Sequence, residues 1–164
     1  MTSQINNLFE IKAPNKLVSP FGYPSIFLAG SIEMGVAGNW QEKIVTDLKK
    51  YFVTIYNPRR DNWNNSWKQD INEPKFYEQV SWELKALEKA DIIAMYFDPK
   101  TKSPISLLEL GLYAKYDNTK LIVCCPDGFW RKGNVQIVCQ RYDVPLHNNY
   151  DTWLLNIKDK VHLI

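Results

Sequence analysis

The sequence is poor in the residues that staple or ligate. Its three cysteines, Cys124, Cys125 and Cys139, are odd in number and two are adjacent, so they do not make a disulfide framework. No Cys-x-x-Cys pair occurs, and His147 and His162 have no partners at metal-ligand spacing, so no metal is expected. Buried thiols in a reduced compartment follow. Charge of one sign is also lacking: 20 basic against 18 acidic residues leave a net charge of +2, too little to argue for a nucleic-acid polymer as partner. No apolar run approaches the ~20 residues that span a bilayer. The start, MTSQINNLFE, has no basic segment leading into an apolar stretch. A cytoplasmic protein with no membrane partner is therefore expected.

What is present is an ordinary globular balance, 45% apolar and 23% charged over 164 residues, which suits one domain with a sizeable core. Aromatics are plentiful, with six Trp and nine Tyr, several of them in loops. Residues 1–24 are polar and Pro-punctuated and read as an N-terminal extension packing on the edge of a single domain, 25–164. Within that domain apolar runs read as strands at 25–29, 52–56, 91–97 and 120–125, with a short one at 144–146. Helical patterns lie between them at 39–51, 74–90, 103–116, 133–142 and 150–161. The second helix should bury Phe76, Val80, Leu84 and Leu87. Continuous apolar strands alternating with helices predict an α/β three-layer sandwich: a parallel sheet of about five strands with helices on both faces. Such a sheet binds ligands at the carboxyl ends of its strands.

The segment SPISLLELGLYA (103–114) is nearly all apolar yet holds Glu109. Ile105, Leu112, Tyr113 and Tyr116 share its helical face, and burying an ionised carboxylate without partners costs several kcal/mol or more. Ser106 to Glu109 fits a capping box, but Ser103-Pro104 is the better helix start, which leaves Glu109 in the second turn. Glu83 lies on the apolar seam of the preceding helix, in register with Val80 and Leu87. Two carboxylates beside one central strand can divide nucleophile and acid/base roles.

Around them, FLAGSIEMG (27–35) ends a strand with Gly30, Ser31, Ile32 and Gly35 before a helix, either a ligand-lining turn or a plain one. Asp98 ends the central strand, and Ser103 and Ser106 lead to Glu109. The long polar loop 57–73 carries Arg59, Arg60, Trp63 and Trp67, suited to phosphate contact and base stacking or simply to packing on itself. Asn134 and Arg131 follow the next strand, on the ligand edge or at a subunit contact. Asp91 reads as a turn residue.

GSIEMG after a first strand, WELKALEKADIIAMYF and SLLELG, in that order over about residues 25–140, together resemble the nucleoside 2-deoxyribosyltransferases and the related deoxynucleoside monophosphate N-glycosidases. The resemblance implies a flavodoxin-like, Rossmann-like fold without cofactor or metal. It makes Glu109 the nucleophile that attacks C1′ of a 2′-deoxynucleoside or its 5′-monophosphate, forming a covalent deoxyribosyl-enzyme. A free nucleobase leaves, and a second base or water takes the sugar. Glu83 falls on the family's second carboxylate, commonly Asp, and has one methylene more. Gly30, Ser31 and Gly35 match the segment lining sugar or phosphate. A homo-oligomer with a shared active site is implied, with Asn134 a candidate contribution across subunits. The leucines before Glu109 and the NPRR loop depart from the family pattern. Two other readings stand beside this one: a hydrolase of another nucleotide such as NAD, and a nucleotide-binding sensor without turnover.

Overall fold

A computed structural model describes residues 6–33, 36–64 and 66–164. Six strands form one all-parallel sheet: β1 (Leu8–Lys12), β2 (Ser25–Gly30), β3 (Val53–Asn57), β4 (Ile92–Tyr96), β5 (Leu121–Cys124) and β6 (Leu146–His147). Their order is β1-β3-β2-β4-β5-β6. The sheet thus has one strand more than the sequence pattern predicts, because the extension supplies β1, registered along β3 from Leu8 opposite Val53 to Lys12 opposite Asn57.

The helices are α1 (Trp40–Asp47), α2 (Pro74–Lys89), α3 (Pro104–Tyr116), α4 (Lys132–Arg141) and α5 (Tyr150–Leu163). Alternation along the strands divides the core into two layers. Ile26, Leu28, Ile55, Ile92 and Ala94 pack with Trp40 and Ile44 of α1 and Trp153 and Ile157 of α5. Phe27, Ala29, Ile93 and Met95 point the other way, to Trp82 and Ala86 of α2, Leu110 and Tyr113 of α3 and Val135 of α4. All three cysteines are free and buried, and burial pushes the thiols of Cys124, Cys125 and Cys139 up to about 12, 11 and 12.

Three expectations change. The first helix ends at Asp47 rather than running to residue 51, although Leu48 stays buried. The buried face of α2 is Gln79, Trp82, Ala86 and Leu87, not the stripe through Val80 and Leu84, which are 37% and 44% exposed. Trp82 sets this rotation: its ring lies 6.5 Å from Phe27, and its indole N–H donates to the Asn15 carbonyl at 2.7 Å. On α3, Tyr113 and Glu109 are buried, whereas Ile105, Leu112 and Tyr116 face outward.

Candidate active site

Glu109 sits in the second turn of α3 and is only 8% exposed. Helical spacing aligns Ser103, Ser106, Glu109, Leu110 and Tyr113 on the side turned to the sheet, and all five are buried. The helix begins at Pro104, so Glu109 is too deep to cap it. Burial, first, and the charge of Glu83, second, raise the Glu109 carboxyl from an ordinary 4.5 to about 8. Glu83 is half-buried on α2. Burial raises its carboxyl too, opposed by one hydrogen bond in which Gln79 Nε2 donates to Glu83 Oε1 at 2.8 Å. Both helices rest on β2, and the Glu83 charge is felt at Glu109.

Above the pair, the carboxyl ends of β2 and β4 hold a hydroxyl cluster. Ser31 Oγ lies 2.5 Å from Ser103 Oγ and 2.8 Å from Thr101 Oγ1, and it accepts the Asp98 amide at 2.9 Å. Ser103 takes the cap position before α3, but in a left-handed conformation (φ 46°), and its hydroxyl serves this cluster rather than the helix. The backbone N–H groups of Lys102 and Ser103 instead donate to Glu33 Oε1, both at 2.7 Å. A side chain from the first loop therefore occupies the positive approach to α3.

Other expected residues have structural duties. Gly30 has φ 137°, and a Cβ there would lie 2.2 Å from the Tyr96 carbonyl, so the neighbouring strand is what demands glycine. Ile32 is half-buried beside Ser31, and Gly35 lies outside the described residues. Both Asp98 oxygens are engaged, Oδ2 by the Gly38 amide and Oδ1 by that of Lys100. Asp91 fastens the starts of β2 and β4, accepting the Ser25 amide and hydroxyl, each at 2.8 Å.

Arg59 donates to Asn39 Oδ1 and Gln41 Oε1, and Gln41 Nε2 reaches the Ser31 carbonyl, so this arginine borders the hydroxyl cluster. Trp63 stacks edge-on against Trp67 at 5.1 Å. Arg60, buried, lies over Trp67 and donates to Glu78 Oε2 at 3.2 Å. Asn134 and Arg131 line a groove of about 280 Å³ between α3 and α4, together with Leu107, Leu110 and Val138. Neither carboxylate lines that groove. Glu33 and Gln79 were not singled out from sequence. The i,i+4 spacing of Gln79 and Glu83 was the available signal for the second, and nothing local marked the first.

Fold and site define a parallel α/β protein with a buried acid, Glu109, that feels the charge of a half-buried second acid, Glu83. The family described as nucleoside 2-deoxyribosyltransferase like matches residues 23–129, and the chain belongs to that family. It is a family of enzymes and implies nucleoside substrates. A conserved protein from Enterococcus faecalis V583 has a similar crystal structure, with a TM-score of 0.61 at 12% identity, covering 84% of this chain and 99% of that one. That likeness speaks for the fold alone. No curated protein matches the chain. Among the described residues no group of three or more His, Cys, Asp or Glu could hold a metal, and no helix is long and apolar enough to cross a membrane.

Proposed function

We propose that the protein cleaves or transfers the N-glycosidic bond of a 2′-deoxynucleoside or its 5′-monophosphate, with Glu109 as nucleophile. The observation that carries this is a carboxylate in the second turn of α3, buried with no ion-pair partner among the described residues and close enough to a second acid to feel its charge. A group placed so at a cost is the kind found at functional sites. In the first step a Glu109 carboxylate oxygen bonds to C1′ as the C1′–N bond breaks, and the departing base takes the bond's electron pair and a proton from water. In the second, water or another base attacks C1′ and gives up a proton to solvent, and Glu109 regains its electron pair. Positive charge on the sugar in both transition states is what the ionised pair stabilises. Glu83 holds a sugar hydroxyl or assists proton transfer. Ser31, Ser103 and Ser106 line the same buried face and are suited to the sugar.

The site belongs to an assembly of identical chains in this reading. Helix α3 carries large apolar side chains on its outer side as well as its inner one, and such a helix is normally covered. Here Leu108, 69% exposed, joins Ile105, Leu112 and Tyr116, with Val80 and Leu84 of α2 close to the carboxylates along their helices. A second copy of the chain laid over this face would cover it and bring residues such as Asn134 toward a neighbouring site.

The test incubates the pure protein with the four 2′-deoxynucleosides and their 5′-monophosphates, with and without a free acceptor base, and separates the products. Free base or exchanged nucleoside that drops at least a thousandfold in Glu109→Ala is expected. Turnover that survives Glu109→Ala would sink the reading. Binding without product in wild type would favour the sensor.

A further inference from the structure

Gln79 is a buried polar residue on α2, and every hydrogen-bonding atom of its amide is used. Its Nε2 donates to the Pro58 carbonyl at 2.9 Å and to Glu83 Oε1 at 2.8 Å, while its Oε1 accepts from Arg60 Nη1 at 3.4 Å. This fixes which way the amide faces. Flipped, its oxygen would oppose a carbonyl and a carboxylate, and its NH₂ would oppose a guanidinium. Arg60 is itself held, donating to Asn62 and Glu78 and lying 5.2 Å from the centre of the Trp67 ring. A continuous path therefore runs from the aromatic loop 57–73 through Arg60 and Gln79 to one oxygen of Glu83.

We propose that Gln79 is a positioning residue that fixes Glu83 and makes it the first of the two acids to ionise, with Glu109 following to become the nucleophile. This rests on the reading of Glu83 and Glu109 as the reacting acids and adds what decides their division of roles. A carboxylate accepts the Gln79 N–H far better than a neutral acid does, so the bond favours the ionised form of Glu83. Among the described residues Glu109 has no such donor, and its proton is held by burial and by the Glu83 charge. Few other charges face the pair. Tyr113 lies near Glu109 on α3, Glu88 sits farther along α2 beside Tyr113, and the Arg60 charge is paired with Glu78. The strands beneath present Phe27, Ala29, Ile93 and Met95, none of them titratable. Whatever rearranges the loop, a substrate base stacking on Trp63 for instance, reaches Glu83 through Gln79.

The experiment needs no substrate. Carboxyl carbons of Glu83 and Glu109 are followed by ¹³C NMR from pH 4 to pH 10 in wild type and Gln79→Met, assigned with Glu83→Gln and Glu109→Gln. In wild type Glu83 titrates first. In Gln79→Met its midpoint rises by about one to two pH units, a ten- to hundredfold gain in proton affinity, the worth of a hydrogen bond to a charged group. A folded Gln79→Met protein with an unmoved Glu83 midpoint overturns the proposal. If that variant does not fold, Arg60→Met decides: a smaller rise supports the path, and no movement overturns it. With an active substrate in hand, Gln79→Met lowers kcat about tenfold and leaves KM within about twofold. A wild type without turnover would defeat the functional reading and leave the titration result standing.

Discussion

At the scale of single residues, the raised carboxyl of Glu109 makes two measurable statements. The first concerns activity. A nucleophilic carboxylate must be ionised, so kcat/KM should climb with pH to a midpoint near 8 in the free enzyme. Glu83→Gln removes the smaller of the two causes. The rise should then move to lower pH, with kcat reduced, and burial should keep it above the ordinary 4.5. A limb that stays in place would mean the Glu83 charge does not reach Glu109. The second statement concerns stability. The folded protein holds the Glu109 proton up to about 8, whereas the unfolded chain releases it near 4.5. The stabilisation is full below 4.5 and is lost as pH rises through about 8, a fall of roughly 3–5 kcal/mol from this group. Denaturant unfolding of wild type and Glu109→Gln at pH 5 and pH 8.5 checks it, the variant losing most of that difference.

At the scale of elements, the strands were readable because a two-sided parallel sheet writes itself as unbroken apolar runs. Faces of helices were harder. Val80 and Leu84 have the right spacing for a core stripe, yet Trp82 turns α2 so that Gln79 and Glu83 lie inward and those two lie outward. A large ring with a hydrogen bond to Asn15 outweighs two aliphatic side chains, and the partner lies 67 residues away, where no local pattern shows it. Glu109 was legible because a charge in an apolar helix contradicts its surroundings. Glu33 was not, since an acid in a loop contradicts nothing until α3 is placed beside it. Gly30 was legible as glycine but for another cause, the Tyr96 backbone rather than a ligand. Gly30→Ala should therefore cost about 3 kcal/mol or more, in a position where strain and overlap add. A thermal melt close to wild type would show that β2 and β4 can separate there.

At the scale of the whole molecule, the two helical layers are unlike. Trp40, Trp153 and Ile157 seat α1 and α5 against the sheet, while the layer of α2 and α3 leaves Leu84, Leu108, Leu112 and Tyr116 to the outside. Light scattering should find an oligomer, and Leu108→Glu with Leu112→Glu should convert it to monomer and reduce turnover at least tenfold. A wild-type monomer with full activity would remove the shared site from the account.

The strand order has a consequence for how the chain is made. Central β2 pairs with β3 and β4, both later in sequence, and edge strand β1 must wait for β3. As the chain leaves the ribosome, its first thirty residues hold two strands with no neighbour to bond. Every lasting pairing of the sheet is therefore delayed until after residue 53, and the two acids meet only when α3 has followed β4 out. Only β1 to β4 precede α3, so chains arrested before that helix would lack β5 and β6 and carry Glu83 alone.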